Sequence, residues 1–403
     1  MNKKQCFRNK IIFFPGIFIT LMGSTLFSFS TGLYLLDITG KGTSYALNLI
    51  LLTLPLVFLS PIFGYIVDRV QKKLVIVICD LINGLVMLII FLFWNNWDKV
   101  LLVYIGTLLG SIFSMLLSIA FEAGKPQMFE KNWLIDANSY STMLTSICRI
   151  GGPILGGIIY SVIDIKYFIL INSISFFISM SFELFLSLDN ISEKNEKTKF
   201  KDGLIYINEN LELKKYILSF VLFNFIFAMM VIIPIPYIVN NIFKMESKFL
   251  GIIQSLLPVG MILGAFLVKK YKINISVDLI KNIFLIFLLT GISFLIPLYF
   301  KIEFWRIVTI YSFGMFIIGI ILGVTEVPIF TYFQKFIPEN IRGQVIGTFI
   351  SLVKVIVPLT LLLSGKIIDI SSPRVSIYIG IILSLGVIFF SKIVKKLKLI
   401  IKL

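Results

Sequence analysis

Four ionisable residues, Arg149, Glu183, Glu326 and Lys354, interrupt runs of sequence that are otherwise apolar over the thickness of a bilayer. A charge in such a run is expensive and marks a solute path, a proton relay or a paired partner. The chain contains no histidine, so a carboxylate is the side chain left to carry a proton. Glu326 is the first candidate, with Asp37 and Glu183 behind it. The competing reading pairs Glu326 with Arg149 or Lys354 in an ion pair that only locks helices, and Glu183 has the further option of snorkelling to the interface. Recognition without charge is the second kind of chemistry on offer. Ser24, Ser28 and Thr31 fall at helical spacing on a greasy run and form a polar stripe fit to line a cavity, although each hydroxyl is also able to bond its own helix.

The elements that must position these residues follow from composition. Hydrophobic residues make up 58% of the 403 and charged residues 14%, against about 25% charged in a soluble domain. Twelve apolar runs of bilayer length fall near 11–36, 45–67, 74–94, 100–121, 139–163, 166–188, 216–240, 249–268, 277–299, 304–333, 345–369 and 375–392. The net charge of +16 is distributed as lysines and arginines gathered on one set of loops, the pattern that orients a helix bundle with both termini in the cytoplasm and not that of a nucleic-acid-binding surface. Cys6, Cys79 and Cys148 are odd in number and two lie within spans, so they read as packing residues and not as a disulfide framework or metal cluster. No small-residue cleavage site follows the basic start, so the first span is expected to be retained. The sequence holds no H-E-x-x-H, no G-x-S-x-G and no nucleotide-binding loop, which argues against an enzyme and against ATP as direct fuel.

A charged break from Asp189 to Lys215 divides the chain into an N-terminal bundle, 1–188, a cytoplasmic connector, 189–215, and a C-terminal bundle, 216–403. Asp202 to Leu213 reads as a short amphipathic helix in that connector. Gly64 has a counterpart in Gly264 at nearly the same place in the second half, as expected of internally repeated bundles. Between the second and third runs lies Gly64-Tyr65-Ile66-Val67-Asp68-Arg69-Val70-Gln71-Lys72-Lys73. The lysines suit a cytoplasmic anchor, but an orientation signal needs no acid. Asp68 at a helix end is placed to accept hydrogen bonds from the exposed donors of a neighbouring helix start. The fifth run carries Arg149-Ile150-Gly151-Gly152-Pro153-Ile154-Leu155-Gly156-Gly157, with Gly152 and Gly156 one turn apart, and the eighth offers Gly260 and Gly264 at the same interval, spacings that let helices touch.

These motifs together resemble the major facilitator superfamily. Its signature loop is similar to the Gly64–Lys73 segment, with Gln71, Lys72 and Lys73 departing from the fuller glycine-arginine form, and the fifth-run segment resembles the G-P-x-x-G-G motif of its exporters. Gly23-Ser24-Thr25, Thr39-Gly40, Asp136-Ala137-Asn138 and the stretch from Gln334 through Pro338, Arg342 and Gly343 to Val345 look like the macrolide efflux and siderophore exporter branch. The resemblance implies an all-α membrane protein of twelve helices in two pseudo-symmetric six-helix bundles. It implies alternating access, with Gly64, Asp68, Arg69, Lys72, Lys73, Pro338, Arg342 and Gly343 as gating residues. The glycines of the fifth and eighth spans would seal the cytoplasmic side. The expected activity is export of a small amphiphilic compound, coupled to protons, by a monomer in the plasma membrane, with no metal or other cofactor. A lysophospholipid flippase or an uptake permease of the same fold is the alternative, and a receptor or scaffold is the reading from outside transport.

Overall fold

A backbone immersed in hydrocarbon has no water to bond to, so a chain this apolar must close its hydrogen bonds within helices. The computed structural model describes residues 3–130, 133–188, 200–273, 277–337 and 339–400; Asp68, Arg342 and Gly343 are described in backbone alone. Among the described residues every regular element is a helix, and ten of them are long and apolar enough to cross a membrane. Two shorter apolar helices, Gly42–Phe58 and Pro373–Phe389, stand where the second and last spans are expected. The chain divides into two compact units. One comprises Met1–Thr39, Leu47–Lys194 and Glu246–Gly251, the other Gly40–Ala46, Asn195–Met245 and Ile252–Leu403.

In the first unit, α1 (Lys3–Thr39) ends where Gly40 takes a φ of +63°, the left-handed turn a glycine supplies after a helix. The second span is divided into α2 (Gly42–Phe58) and α3 (Ser60–Arg69) at Leu59, because Pro61 brings no N–H to the ladder. The bonds Leu59 N–H to Pro55 O at 2.8 Å and Phe63 N–H to Leu59 O at 2.9 Å carry the chain across the break. Then follow α4 (Lys72–Phe93), α5 (Lys99–Met128), α6 (Leu134–Tyr160) and α7 (Ile165–Glu183). Asp98 caps α5 by accepting the Leu101 N–H at 2.7 Å, and Asp164 caps α7 through the Lys166 N–H at 3.0 Å. Helix α4 packs against α5 and α7, and α1 against α6 and α7. Small residues set these approaches: Gly23 lies against Ser175 and Gly84 beneath the ring of Phe177.

The second unit begins with α8 (Phe200–Glu209), on the segment expected to be amphipathic, and α9 (Leu211–Phe227), whose N-terminus Asn210 caps through the Glu212 and Leu213 N–H groups at 3.0 and 3.2 Å. The seventh span then departs from α geometry. Two π-helical segments, Ala228–Ile232 and Ile238–Ile242, flank α10 (Pro234–Tyr237). In a π register the Met229 carbonyl looks to residue 234, a proline with no N–H to give. Ser376 supplies the missing donor at 2.6 Å, and its own oxygen lies 2.9 Å from that of Ser364, all of it buried. The remaining helices are α11 (Ser247–Tyr271), α12 (Val277–Tyr299), α13 (Phe304–Phe336), α14 (Glu339–Lys354), α15 (Ile356–Ile370) and α16 (Pro373–Ile400). Asp369, in the last turn of α15, caps the first turn of α2: it accepts the Gly42 N–H at 2.6 Å and the Thr43 N–H at 3.0 Å. A carboxylate disfavoured at one helix C-terminus is thereby held at another's N-terminus.

The tightest crossing joins α11 to α13. A Cβ at Gly260 would collide with the Phe316 carbonyl oxygen, at Gly264 with that of Ile320, at Gly319 with that of Leu257 and at Gly323 with that of Met261. Nothing lies within 4 Å of a Cβ placed at Gly386. Gly319→Val is therefore expected to destabilise the purified protein by about 1–3 kcal/mol or more, the range for overpacking. Gly386→Ala should leave the melting temperature in detergent unchanged, and equal melting of the two variants would refute the close crossing.

Candidate functional site

Small residues that keep helices close also leave room where they face one another without interlocking. In the first unit this yields a cavity of about 350 Å³ between α1, the lower part of α2, α4, α5 and α7. Phe27, Leu52, Leu56, Met87, Met115 and Phe176 form its apolar wall, and Ser24, Ser28, Thr53, Thr107, Ser111, Ser114, Ser118 and Asn172 stud it with uncharged polar groups. Several of these are already committed. Ser111 donates to the Leu51 and Leu108 carbonyls at 2.8 Å, Thr53 to the Leu49 carbonyl at 3.0 Å, and Thr107 to Asn48 Oδ1 at 2.7 Å. No protein partner appears for the hydroxyls of Ser24, Ser28 and Ser118 among the described residues, so they are available to water or a solute. No charged residue lines the cavity. Its chemistry is that of an apolar pocket with a few orienting hydrogen bonds.

Of the expected stripe, Ser24 and Ser28 reach this cavity, whereas Thr31 is buried and donates to the Phe27 carbonyl at 2.8 Å. The hydroxyls of α5 complete the lining. Sequence periodicity on one helix does not reveal them, because their meaning depends on which helix they face.

The signature segment covers the end of α3 and the start of α4. Gly64 has open space where a Cβ would stand, Arg69 closes α3, and the Val70 N–H bonds the Ile66 carbonyl at 3.1 Å. Lys72 and Lys73 open α4, and Lys73 donates to the Leu184 carbonyl past the end of α7 at 2.7 Å. The side chain of Asp68 lies outside the described residues. So do Pro338 and the side chain of Arg342; Gly343 sits in the early part of α14.

The glycine run on α6 seats that helix on α1. Gly151 faces Met22, Gly152 faces Thr25 and Gly156 faces Phe29. On the far side Gly157 abuts the backbone of Ser247, and Gly251 the carbonyl of Pro153. The eighth span thus meets this run through its first turn, while Gly260 and Gly264 turn to α13 as described above.

The ionisable candidates lie on five different helices. Glu326 is exposed on α13, Arg149 exposed on α6 and Lys354 exposed at the end of α14. Asp37, also exposed, accepts the Tyr160 hydroxyl at 2.7 Å. Glu183 alone of the five is buried, and it accepts the Ser179 hydroxyl at 3.1 Å. Facing it from α4 is Asp80, fully buried, which the sequence reading passes over. The signal was present: an acid within an apolar run, with Asn83, Gly84 and Met87 at the following positions of the same helix face.

Comparison with known proteins agrees with this architecture. YkuC of Bacillus subtilis (strain 168), an uncharacterized MFS-type transporter, is 25% identical over 362 residues, covering 84% of this chain and 81% of its own. Macrolide efflux protein A of Streptococcus pyogenes is 22% identical over 372 residues and 88% of each chain. Among solved structures, a bacterial homologue of the human lysosomal transporter Spinster, inward-facing and unoccupied, superposes with a TM-score of 0.72 at 10% identity, over 97% of this chain and 96% of that one, a likeness of fold. The sequence profile of the Major Facilitator Superfamily matches residues 13–358. With its helices, its signature loop and this match running through most of its length, the chain belongs to the Major Facilitator Superfamily and is a transporter.

Proposed function

We propose that this transporter exports a small amphiphilic compound, a macrolide-like drug or a siderophore-like metabolite, by alternating access across the plasma membrane in exchange for protons. The observation that carries the reading is the uncharged cavity of the first unit, whose aromatic and thioether walls and three uncommitted hydroxyls suit a largely apolar solute with a few polar groups. A charged cargo would call for a compensating charge in that lining. The outward direction is supported by the glycine-proline run on α6 and by the similarity to a macrolide efflux protein. Coupling to protons is supported by carboxylates within spans, Glu326, Glu183 and Asp37, in a sequence with no nucleotide-binding loop. The segment from Gly64 to Lys73, with Pro338, Arg342 and Gly343, acts as the cytoplasmic latch, and one chain is the transporting unit.

Inside-out vesicles energised by respiration test this reading. A labelled macrolide should accumulate and leak away when an uncoupler collapses the proton gradient. Movement of a fluorescent lysophospholipid instead would favour a flippase, and accumulation only in right-side-out vesicles would favour uptake. Replacing Ser24 and Ser118 together by alanine should weaken macrolide binding several-fold, since each neutral hydrogen bond contributes about 0.5–1.5 kcal/mol, without lowering the melting temperature. Asp68→Asn is expected to slow export while insertion stays normal, because a few kcal/mol suffice to bias a two-state equilibrium.

Orientation has its own check. With Cys6, Cys79 and Cys148 replaced, single cysteines at Lys41 and Thr198 should react with an impermeant thiol reagent from opposite sides, Lys41 from outside. Labelling of Thr198 alone on intact cells would reverse the orientation of both termini toward the cytoplasm, and labelling of both positions would discard it.

A further inference from the structure

Around Asp80 four oxygen atoms are sealed from solvent and meet no hydrogen-bond donor among the described residues: both of Asp80, Oε2 of Glu183 and Oδ1 of Asn83. Asp80 and Asn83 are 0% exposed and Glu183 2%. Asp80 and Asn83 stand one turn apart on α4, Glu183 faces Asp80 from the end of α7, and the one hydroxyl beside both acids, that of Ser179, is bonded to Glu183 Oε1 at 3.1 Å. Acceptors crowd here and donors are missing.

No cation relieves them among the described residues. On α4 itself Lys72 and Lys73 lie about two turns away toward the helix start, and Lys73 is bound to the Leu184 carbonyl at 2.7 Å. On α5 Lys125 is held by Glu122 at 2.6 Å and Asn138 at 3.0 Å. On α1 Arg8 donates to the Ser187 hydroxyl, and Lys10 sits 3.7 Å from the centre of the Trp133 ring. The remaining titratable neighbour is the Cys79 thiol, itself buried. Two ionised carboxylates facing each other at this burial, without a counter-charge, would carry a desolvation penalty of several kcal/mol each in addition to their mutual repulsion.

We propose that Asp80 and Glu183 share a proton and form a proton-carrying site of the transporter, linked through Asn83 to the solute cavity. A proton on either acid turns one of its oxygens into a donor, so that an O–H···O bond joins the pair and the other acid remains a carboxylate. Nothing else is consumed: one proton enters, one oxygen–hydrogen bond forms, and release reverses it. The link to the cavity is short. Asn83 Nδ2 points to Ser114 Oγ at 3.4 Å, and Ser114 is in the cavity wall. Asn83 Oδ1, unmatched one turn from Asp80, is the acceptor through which occupancy of the pair would reach the hydrogen bonding of the lining. The carrier role rests on the exporter reading above; the shared proton does not.

Infrared spectra of the full chain in nanodiscs test the site with no solute present. The wild type is expected to show a deuterium-sensitive C=O stretch of a buried carboxylic acid at neutral pH, and Asp80→Asn and Glu183→Gln are each expected to abolish or shift it. Both isosteres keep the volume and remove the need for a proton. Ser179→Ala, which deletes only the hydroxyl bonded to Glu183, should shift the same band and serves if an acid variant fails to fold. A band that none of these substitutions moves overturns the proposal. In vesicles, the double variant Asp80→Asn/Glu183→Gln should retain macrolide counterflow and lose accumulation driven by a pH gradient. Gradient-driven accumulation equal to wild type overturns the carrier role. If the wild type moves no macrolide in either mode, the exporter reading and the carrier role fall together, while the infrared arm still decides the shared proton.

Discussion

Every backbone hydrogen bond within the membrane spans has to be made without help from bulk water, and the structure is organised by that constraint. It explains why the described elements are helices, why aspartates and asparagine sit at the starts of several, and why the carbonyl that Pro234 leaves over is met by a substitute donor. The seventh span shows the rule at its most demanding. Pro234 and Pro236 remove two donors, the register loosens into π turns, and Ser376 from α16 reaches across to the carbonyl left over. Most serine and threonine hydroxyls meet the same demand more quietly, bonding a carbonyl three or four residues back on their own helix, as Thr31, Thr290 and Thr360 do.

Against that background of satisfied groups, the unsatisfied ones acquire meaning. A hydroxyl already bonded to its helix adds little to a ligand site, so the informative residues of the cavity are Ser24, Ser28 and Ser118. The same reasoning isolates Asp80, Asn83 and Glu183, whose oxygens, Glu183 Oε1 apart, are hidden and unmatched among the described residues. The cavity and the acid pair share α4 and α7, and the Asn83 to Ser114 contact joins them, so the two lie within a few side chains of each other.

Much of this architecture is legible in the sequence, since span length and apolarity are local properties. The runs near 74–94 and 304–333 become α4 and α13 with little change. The break at Pro61 is a local event too, but the π turns are not, because they depend on a donor offered by Ser376, well over a hundred residues away. Glycine spacing announces that Gly260 and Gly264 bring a helix close without saying which helix it is, and the partner is α13. Glu326 and Glu183 look equivalent as acids within apolar runs, yet one is exposed and the other sealed, a distinction made by neighbours and not by the run itself. Asp80 was within reach of the same rule that singles out Glu183; only its burial against Glu183 shows its weight.

The interlocked glycines of α11 and α13 have a mechanical consequence. Where carbonyl oxygens of each helix rest directly on the glycine backbone of the other, at two points each way, there is no layer of flexible side chains to act as a bearing. Sliding one helix along the other by a single residue would drive a larger side chain into a carbonyl, so shear at this joint is blocked. The two helices behave as one stiff strut. Within the second unit the contrast is the seventh span, where a π turn on either side of its prolines leaves a looser backbone ladder than a regular α-helix has.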